Sequence, residues 1–102
     1  MACATIEGLS HSLAAELGPK GVRVICLRSA ASPESIAEVL EVYAAGHRVT
    51  RDEFIASLKD MTLLKKLPSV ADVGHVAVLM ASDYAGSMTG TVANLSCGQI
   101  VD

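Results

Sequence analysis

Three histidines, His11, His47 and His75, are the side chains best suited to proton transfer near neutral pH, and His11 is flanked by two hydroxyls, Ser10 and Ser12. A nucleophilic triad needs base, nucleophile and orienting acid to converge on one point. Neighbouring residues on a helix point about 100° apart, so Ser10 and His11 diverge, and each histidine reads as a surface or helix-face residue. Glu7, Glu16, Asp72 and Asp83 are the carboxylates with acid/base potential. They follow the polar sides and ends of helical segments, where solvation, capping and the helix dipole account for them. Cys3, Cys26 and Cys97 show no CxxC or Cys/His spacing of the kind that holds zinc, so no metal site is expected. Cys26 falls inside an apolar run, where cysteine acts as a small buried hydrophobe. Gly86, Gly90 and Gly98 read as turns, because none opens a helix with phosphate-loop spacing. Met61, Met80 and Met88 read as core filler. These residues provide no catalytic assignment.

Two candidates remain, Arg28 and Ser29, which directly follow an apolar strand. Open α/β sheets bind ligands beyond the carboxyl ends of their strands. Arg28 and Ser29 are therefore candidates for contact with a cofactor or substrate wherever the opposite wall of such a crevice is supplied. Nothing in this chain supplies that wall.

The elements that would position these residues follow from hydrophobic spacing. Ile6, Leu9, Leu13 and Leu17 recur at three and four residues, predicting a helix over about 4–17 with an apolar stripe. Gly18 is expected in the left-handed position after it, with Pro19 preventing continuation. Val22, Val24, Ile25, Cys26 and Leu27 then make a strand with little polar alternation, the pattern of burial on both faces. Ser32-Pro33-Glu34 reads as a helix start, with Ile36, Val39, Leu40 and Tyr43 as its apolar face and Gly46 as its end. Thr50 and Glu53 have capping-box spacing ahead of Phe54, Ile55, Leu58 and Met61, so a tight "GHRV" turn would pair the two helices, and a longer excursion is equally compatible with the spacing. Ser69 and Asp72 form a second such box before Val73, Val76, Ala77 and Met80. Thr91 to Leu95 is a short strand between glycines. The order is helix, strand, helix pair, helix, strand, without repeats, linkers or a domain boundary across 1–102.

Bulk properties narrow the class. A hydrophobic content of 51% with three aromatics suits aliphatic helices packed on a parallel sheet. The net charge of −3 with eight scattered Lys and Arg offers no basic face for phosphates, so nucleic acid is not an expected partner. "MACATIEGL" has no basic region ahead of an apolar segment, and the longest uncharged run, Tyr84 to Val101, is too polar for a membrane span. A cytoplasmic protein without membrane contact is expected. Two parallel strands alone have unpaired edges and make a marginal sheet.

"IEGLSHSLAAELGPKGVRV", "LPSVADVGHVAVLMASD" and "MTGTVANLSCG" together resemble the C-terminal part of the short-chain dehydrogenase/reductase family. The likeness is strong over 4–27 and 67–98 and weak between them. It implies an α/β fold, the C-terminal portion of a doubly wound Rossmann-type parallel sheet, here two strands with three to four helices. It also implies that the helix pair occupies the family's variable substrate-binding lid. A complete member would use NAD or NADP, held by a glycine-rich loop, together with a Tyr-x-x-x-Lys pair for proton transfer. Neither motif is present: relatives worded "SKAAIEGL" carry the lysine where this chain has Cys3. After the sixth strand the family's Pro-Gly is replaced within Arg28-Ser29-Ala30, and near the end Asp-Gly-Gly is replaced by Ser96-Cys97-Gly98.

The resulting expectation is a fragment similar to the C-terminal half of an NAD(P)-dependent short-chain dehydrogenase/reductase, catalytically inert alone and binding no cofactor alone. One alternative is a self-association or partner-binding module, a homo-oligomer or the mate of a chain that supplies the missing strands. The other is part of a working oxidoreductase whose N-terminal half lies outside these 102 residues.

Overall fold

The computed structural model describes residues 2–34 and 37–101. The elements are α1 (Ala2–Leu17), a 3-10 turn (Gly18–Lys20), β1 (Ile25–Ser29), α2 (Ala37–Gly46), α3 (Arg51–Asp60), α4 (Val70–Ala81), a second 3-10 turn (Asp83–Ala85) and β2 (Thr91–Leu95). The strands pair in a two-stranded parallel sheet, giving the α/β class and the element order the sequence implies. The residues group into two compact units, Met1–Arg28 with His75–Ala93 and Ser29–Gly74 with Asn94–Asp102. Among the described residues no helix is long and apolar enough to cross a membrane.

In the first unit α1 buries Ser10 and Ala14, and the expected stripe points elsewhere: Ile6 and Leu9 are 58% and 59% exposed. Small side chains let a helix approach its neighbour most closely. A side chain added at Gly90 would begin 3.6 Å from the Ala14 methyl. The stop after α1 also differs from expectation. Gly18 opens the 3-10 turn instead of adopting the left-handed conformation, and Gly21, at φ 78°, adopts it while its N–H donates to the Gly18 carbonyl.

The strand begins at Ile25 rather than Val22 because the preceding residues bond elsewhere. The Val22 N–H donates to the Leu17 carbonyl at 3.2 Å, and the Val24 N–H to Thr89 Oγ1 at 3.0 Å. Arg23 sends its guanidinium to the end of α4. Nη1 donates to the carbonyls of Met80 and Ala85 at 2.9 Å and of Met88 at 3.4 Å, and Nη2 donates to that of Ser82 at 3.2 Å. The last carbonyls of a helix lack intrahelical donors, and α4 has no basic residue in its last turn. Arg23 supplies the donors from outside. No residue of β1 or β2 is fully buried, Cys26 included, contrary to the two-sided burial expected. A two-stranded sheet leaves each strand one open edge, so its aliphatic side chains stay half-covered.

In the second unit the expected caps form, as a full reciprocal box at Ser69–Asp72 and as the N-cap half at Thr50. Thr50 accepts from the Glu53 N–H at 3.1 Å, Ser69 Oγ from the Asp72 N–H at 3.0 Å, and Asp72 Oδ2 from the Ser69 N–H at 2.9 Å. Helices α2 and α3 pack together across a short connection closed by bonds from His47, Arg48 and Val49 back to Tyr43, Ala45 and Ala44. Leu40 and Ala44 are buried, whereas Met61 is exposed and is not core filler. Pro33 and Glu34 lie in a turn rather than in the first helical positions expected of them, and the described part of α2 runs over Ala37–Gly46; Ser32 is buried, and the Glu34 carboxylate accepts from the Val70 N–H at 2.8 Å, the first amide of α4. Ile36 lies outside the described residues.

Replacing Arg23 with Ala is expected to lower stability by about 3 kcal/mol, since several helix-end carbonyls lose a charged donor together. Arg23→Lys, a single point donor in place of a planar fork, is expected to recover less than half of that. Urea denaturation followed by circular dichroism measures both.

Candidate functional site

The carboxyl end of β1 carries the two residues singled out in the sequence. Arg28 donates from Nε to Glu7 Oε1 at 2.9 Å, and its Nη2 lies 2.9 Å from the same oxygen. The pair joins the strand end to the second turn of α1, with 18% of the Arg28 side chain and 26% of Glu7 exposed. Glu7 is thus an ion-pair partner, not merely a solvated carboxylate. At this exposure the interaction contributes at most about 1 kcal/mol. Ser29 donates from Oγ to the Ala30 carbonyl at 3.1 Å. Both side chains are engaged within the chain. The arginine charge is matched by Glu7 and the serine proton is held by a local carbonyl.

The other chemistry-bearing residues do not converge. His11 and His75 are exposed, and Ser10 Oγ donates to the Glu7 carbonyl at 2.9 Å, away from any histidine. His47 Nδ1 lies 2.8 Å from the Tyr43 carbonyl. A carbonyl only accepts, so Nδ1 bears the proton. The His47 ring stacks with Tyr43 and Phe54, all three centroid separations being between 5.9 and 6.2 Å. Glu16 and Asp83 are exposed, and Asp72 belongs to its capping box. Among the described residues no cluster of three or more His, Cys, Asp or Glu could hold a metal ion.

An apolar cleft opens in each unit. In the first, a space of about 410 Å³ is lined by Ile25 and Leu27 of β1, Ala77 and Met80 of α4, and Gly21 and Arg23. In the second, a space of about 490 Å³ is lined by Leu63, Leu64, Leu95, Cys97, Gly98 and Ile100 among others. The first has Arg23 as its one charged lining residue, and the second also has Lys66, Asp72 and Cys97 in its lining, with Asp72 engaged in the cap of α4.

The floor of the second cleft is a turn of defined chemistry. The Gln99 N–H donates to the Ser96 carbonyl at 3.1 Å, and the two central residues, Cys97 and Gly98, have φ of 56° and 84°. Positive φ at both central positions is the type I′ requirement, best met by Gly, Asn or Asp. Ser96, fully buried, holds the base: its Oγ donates to Asn94 Oδ1 at 2.6 Å and accepts from the Ile100 N–H at 3.2 Å. Asn94 Nδ2 donates to the Ile100 carbonyl at 2.7 Å. A methyl group at Gly98 would lie 2.5 Å from Leu63 Cβ.

Sequence reasoning missed two connections, Arg23 to the end of α4 and Glu34 to its start. Arg23 leaves one signal, as the only charge inside the apolar run "VRVICL". Glu34 leaves none, since its partner is a backbone amide 36 residues away.

Residues 1–99 match the family model described as enoyl-(acyl carrier protein) reductase. The chain is similar to the enoyl-(acyl-carrier-protein) reductase (NADH) of Haemophilus influenzae, with 26% identity over 96% of this chain and 34% of that one. It is 34% identical to tropinone reductase-like 3 of Erythroxylum coca over 89% of this chain and 32% of the other. Among solved structures, sorbitol-6-phosphate 2-dehydrogenase of Erwinia amylovora superposes with a TM-score of 0.84 at 30% identity, covering 94% of this chain and 38% of that one. The chain spans about a third of the length of the curated relatives it matches.

Cys97 holds a backbone conformation that costs a non-glycine residue about 1 kcal/mol. Cys97→Gly is therefore expected to stabilise the chain by about that amount, and Gly98→Ala to destabilise it by about 2 kcal/mol or more through contact with Leu63 and its own positive φ. Urea midpoints of the two variants provide the check.

Proposed function

Because the chain belongs to the short-chain dehydrogenase/reductase family, we propose that it is the C-terminal part of an NAD(P)-dependent oxidoreductase and is catalytically inert by itself. What supports this reading is Cys3 in "ACATIEGL", which by the resemblance stands where family members worded "SKAAIEGL" carry the lysine of the catalytic pair. A thiol on the first turn of α1 cannot hold a ribose or lower a tyrosine pKa by a fixed positive charge. In a complete member, NAD or NADP supplies the hydride acceptor or donor. Residues of this chain act only as scaffold in that reaction: the Arg28–Glu7 pair fastens the end of β1 to α1, and the Arg23 clamp fixes the start of the same strand.

Titration of the purified chain with NADH and NADPH by calorimetry is expected to show no binding at millimolar cofactor. Saturable binding would overturn the inert reading and favour a working oxidoreductase, and Arg28→Ala and Ser29→Ala would then be the variants to compare.

The exposed stripe of α1 favours a second reading, a chain that associates with another copy of itself or with one supplying further strands. Ile6 and Leu9 are each more than half exposed on a helix with few charges. Such a face is best covered by a second apolar surface. Sedimentation velocity is expected to show a species larger than 10.6 kDa that reverts to monomer in Leu9→Glu. A wild-type chain that is monomeric throughout the micromolar range would eliminate this reading.

A further inference from the structure

Side-chain alternation along β1 sorts the first unit into two sides. Successive residues of a strand point to opposite faces of a sheet. Ile25 and Leu27 line the cleft of about 410 Å³ together with Ala77 and Met80 of α4, whereas Arg28, of the other parity, reaches Glu7 of α1 at 2.9 Å. Helices α1 and α4 thus lie on opposite sides of the sheet. Each side leaves apolar surface uncovered, the stripe of α1 on one and the cleft between β1 and α4 on the other.

The two surfaces match in shape. On α1, Ile6, Leu9 and Leu13 follow one another at three and four residues, and Ile6 and Leu9 are more than half exposed. This is the spacing with which a helix presents anchors to an apolar groove. The cleft has low walls, formed by Gly21 and, one turn apart on α4, by Ala77 and Ala81, all three exposed. Small residues at a contact let a helix axis come close, and Met80 beside them adapts to the side chains it meets.

They also match in charge. Three residues beyond Leu13 the stripe ends in Glu16, which is exposed, and residues 2–17 contain no lysine or arginine. The one charged residue lining the cleft is Arg23. Its partners among the described residues are all neutral carbonyls, so its positive charge stands unmatched by a carboxylate. An acidic helix and a basic cleft are complementary. The cleft of the second unit carries both signs, Lys66 and Asp72, and offers no such match.

Building on the self-association reading, we propose that the stripe of α1 docks in the β1–α4 cleft of a second copy of this chain. The contact joins two different surfaces, so a pair keeps one free stripe and one free cleft, on opposite sides of its sheets. Copies therefore add head to tail instead of stopping at a two-fold dimer.

Sedimentation velocity of the full chain tests the docking with Leu9→Glu, which spoils the stripe, and Ala77→Glu, which spoils the cleft. Circular dichroism checks that both keep their helices, and Ala81→Gln serves as the cleft variant if Ala77→Glu does not. Wild type is expected to grow with concentration past twice the 10.6 kDa mass of one chain. Each variant alone is expected to stay monomeric. Mixed in equal amounts they are expected to form a pair and stop there, because the intact stripe of one fits the intact cleft of the other and no further match remains. A mixture that stays monomeric, or a wild type that halts at a dimer, would overturn the docking. A cleft variant that associates alone while Leu9→Glu does not would overturn it as well and leave self-association through α1 standing. A monomeric wild type would remove both.

Discussion

A helix must dispose of its last carbonyls, and the first unit is organised around how α4 does so. The end of α4 has no basic residue of its own, and the 3-10 turn that follows adds further carbonyls close by. One guanidinium, Arg23, gathers four of them from Met80, Ser82, Ala85 and Met88. Because Arg23 stands two residues before β1 and Met88 three before β2, the same contact brings the starts of both strands together. From there the register follows residue by residue: Val24 bonds to Thr89 through its N–H and accepts from Gly90, and the ladder begins. A planar fork of donors is what makes one side chain sufficient.

The second unit adds knots of short-range bonds to its long-range ones, Glu34 to Val70 and Leu64 to Cys97. Thr62 donates to the Lys59 carbonyl and accepts from the Lys66 N–H, closing the loop after α3 on itself. Asn94, Ser96 and Ile100 form a similar knot after β2. Its buried side chains include Leu40, Thr62, Pro68 and Ser96, so hydroxyls share the interior with aliphatics. Each buried hydroxyl has its partner, and among the described residues no buried side-chain polar atom is left unsatisfied. The unit thus gains order from satisfied polar groups, where its apolar burial is slight.

These differences explain what could be read in advance. Element order was legible because periodicity and caps are local properties: the caps at Thr50 and Ser69 involve residues three apart. The buried face of α1 was not legible, because hydrophobic spacing marks Ile6, Leu9 and Leu13 while close packing selects Ser10 and Ala14. Arg28 and Ser29 were correctly located at a strand end, yet their engagement with Glu7 and Ala30 depends on geometry that spacing does not encode. Ser32-Pro33-Glu34 carries every sign of a helix start, yet Pro33 and Glu34 lie in a turn and the Glu34 carboxylate is used at Val70 instead.

The reach of Arg23 has a consequence for the order in which the chain acquires structure. The carbonyls it holds lie 57 to 65 residues further along. During synthesis from the N-terminus, the apolar segment after Arg23 emerges well before they exist. Until then the arginine is a charge beside a β-prone stretch, the kind of flanking residue that discourages strands of neighbouring nascent chains from adhering. The side chain that later fixes the strand in place is thus the one that guards it beforehand.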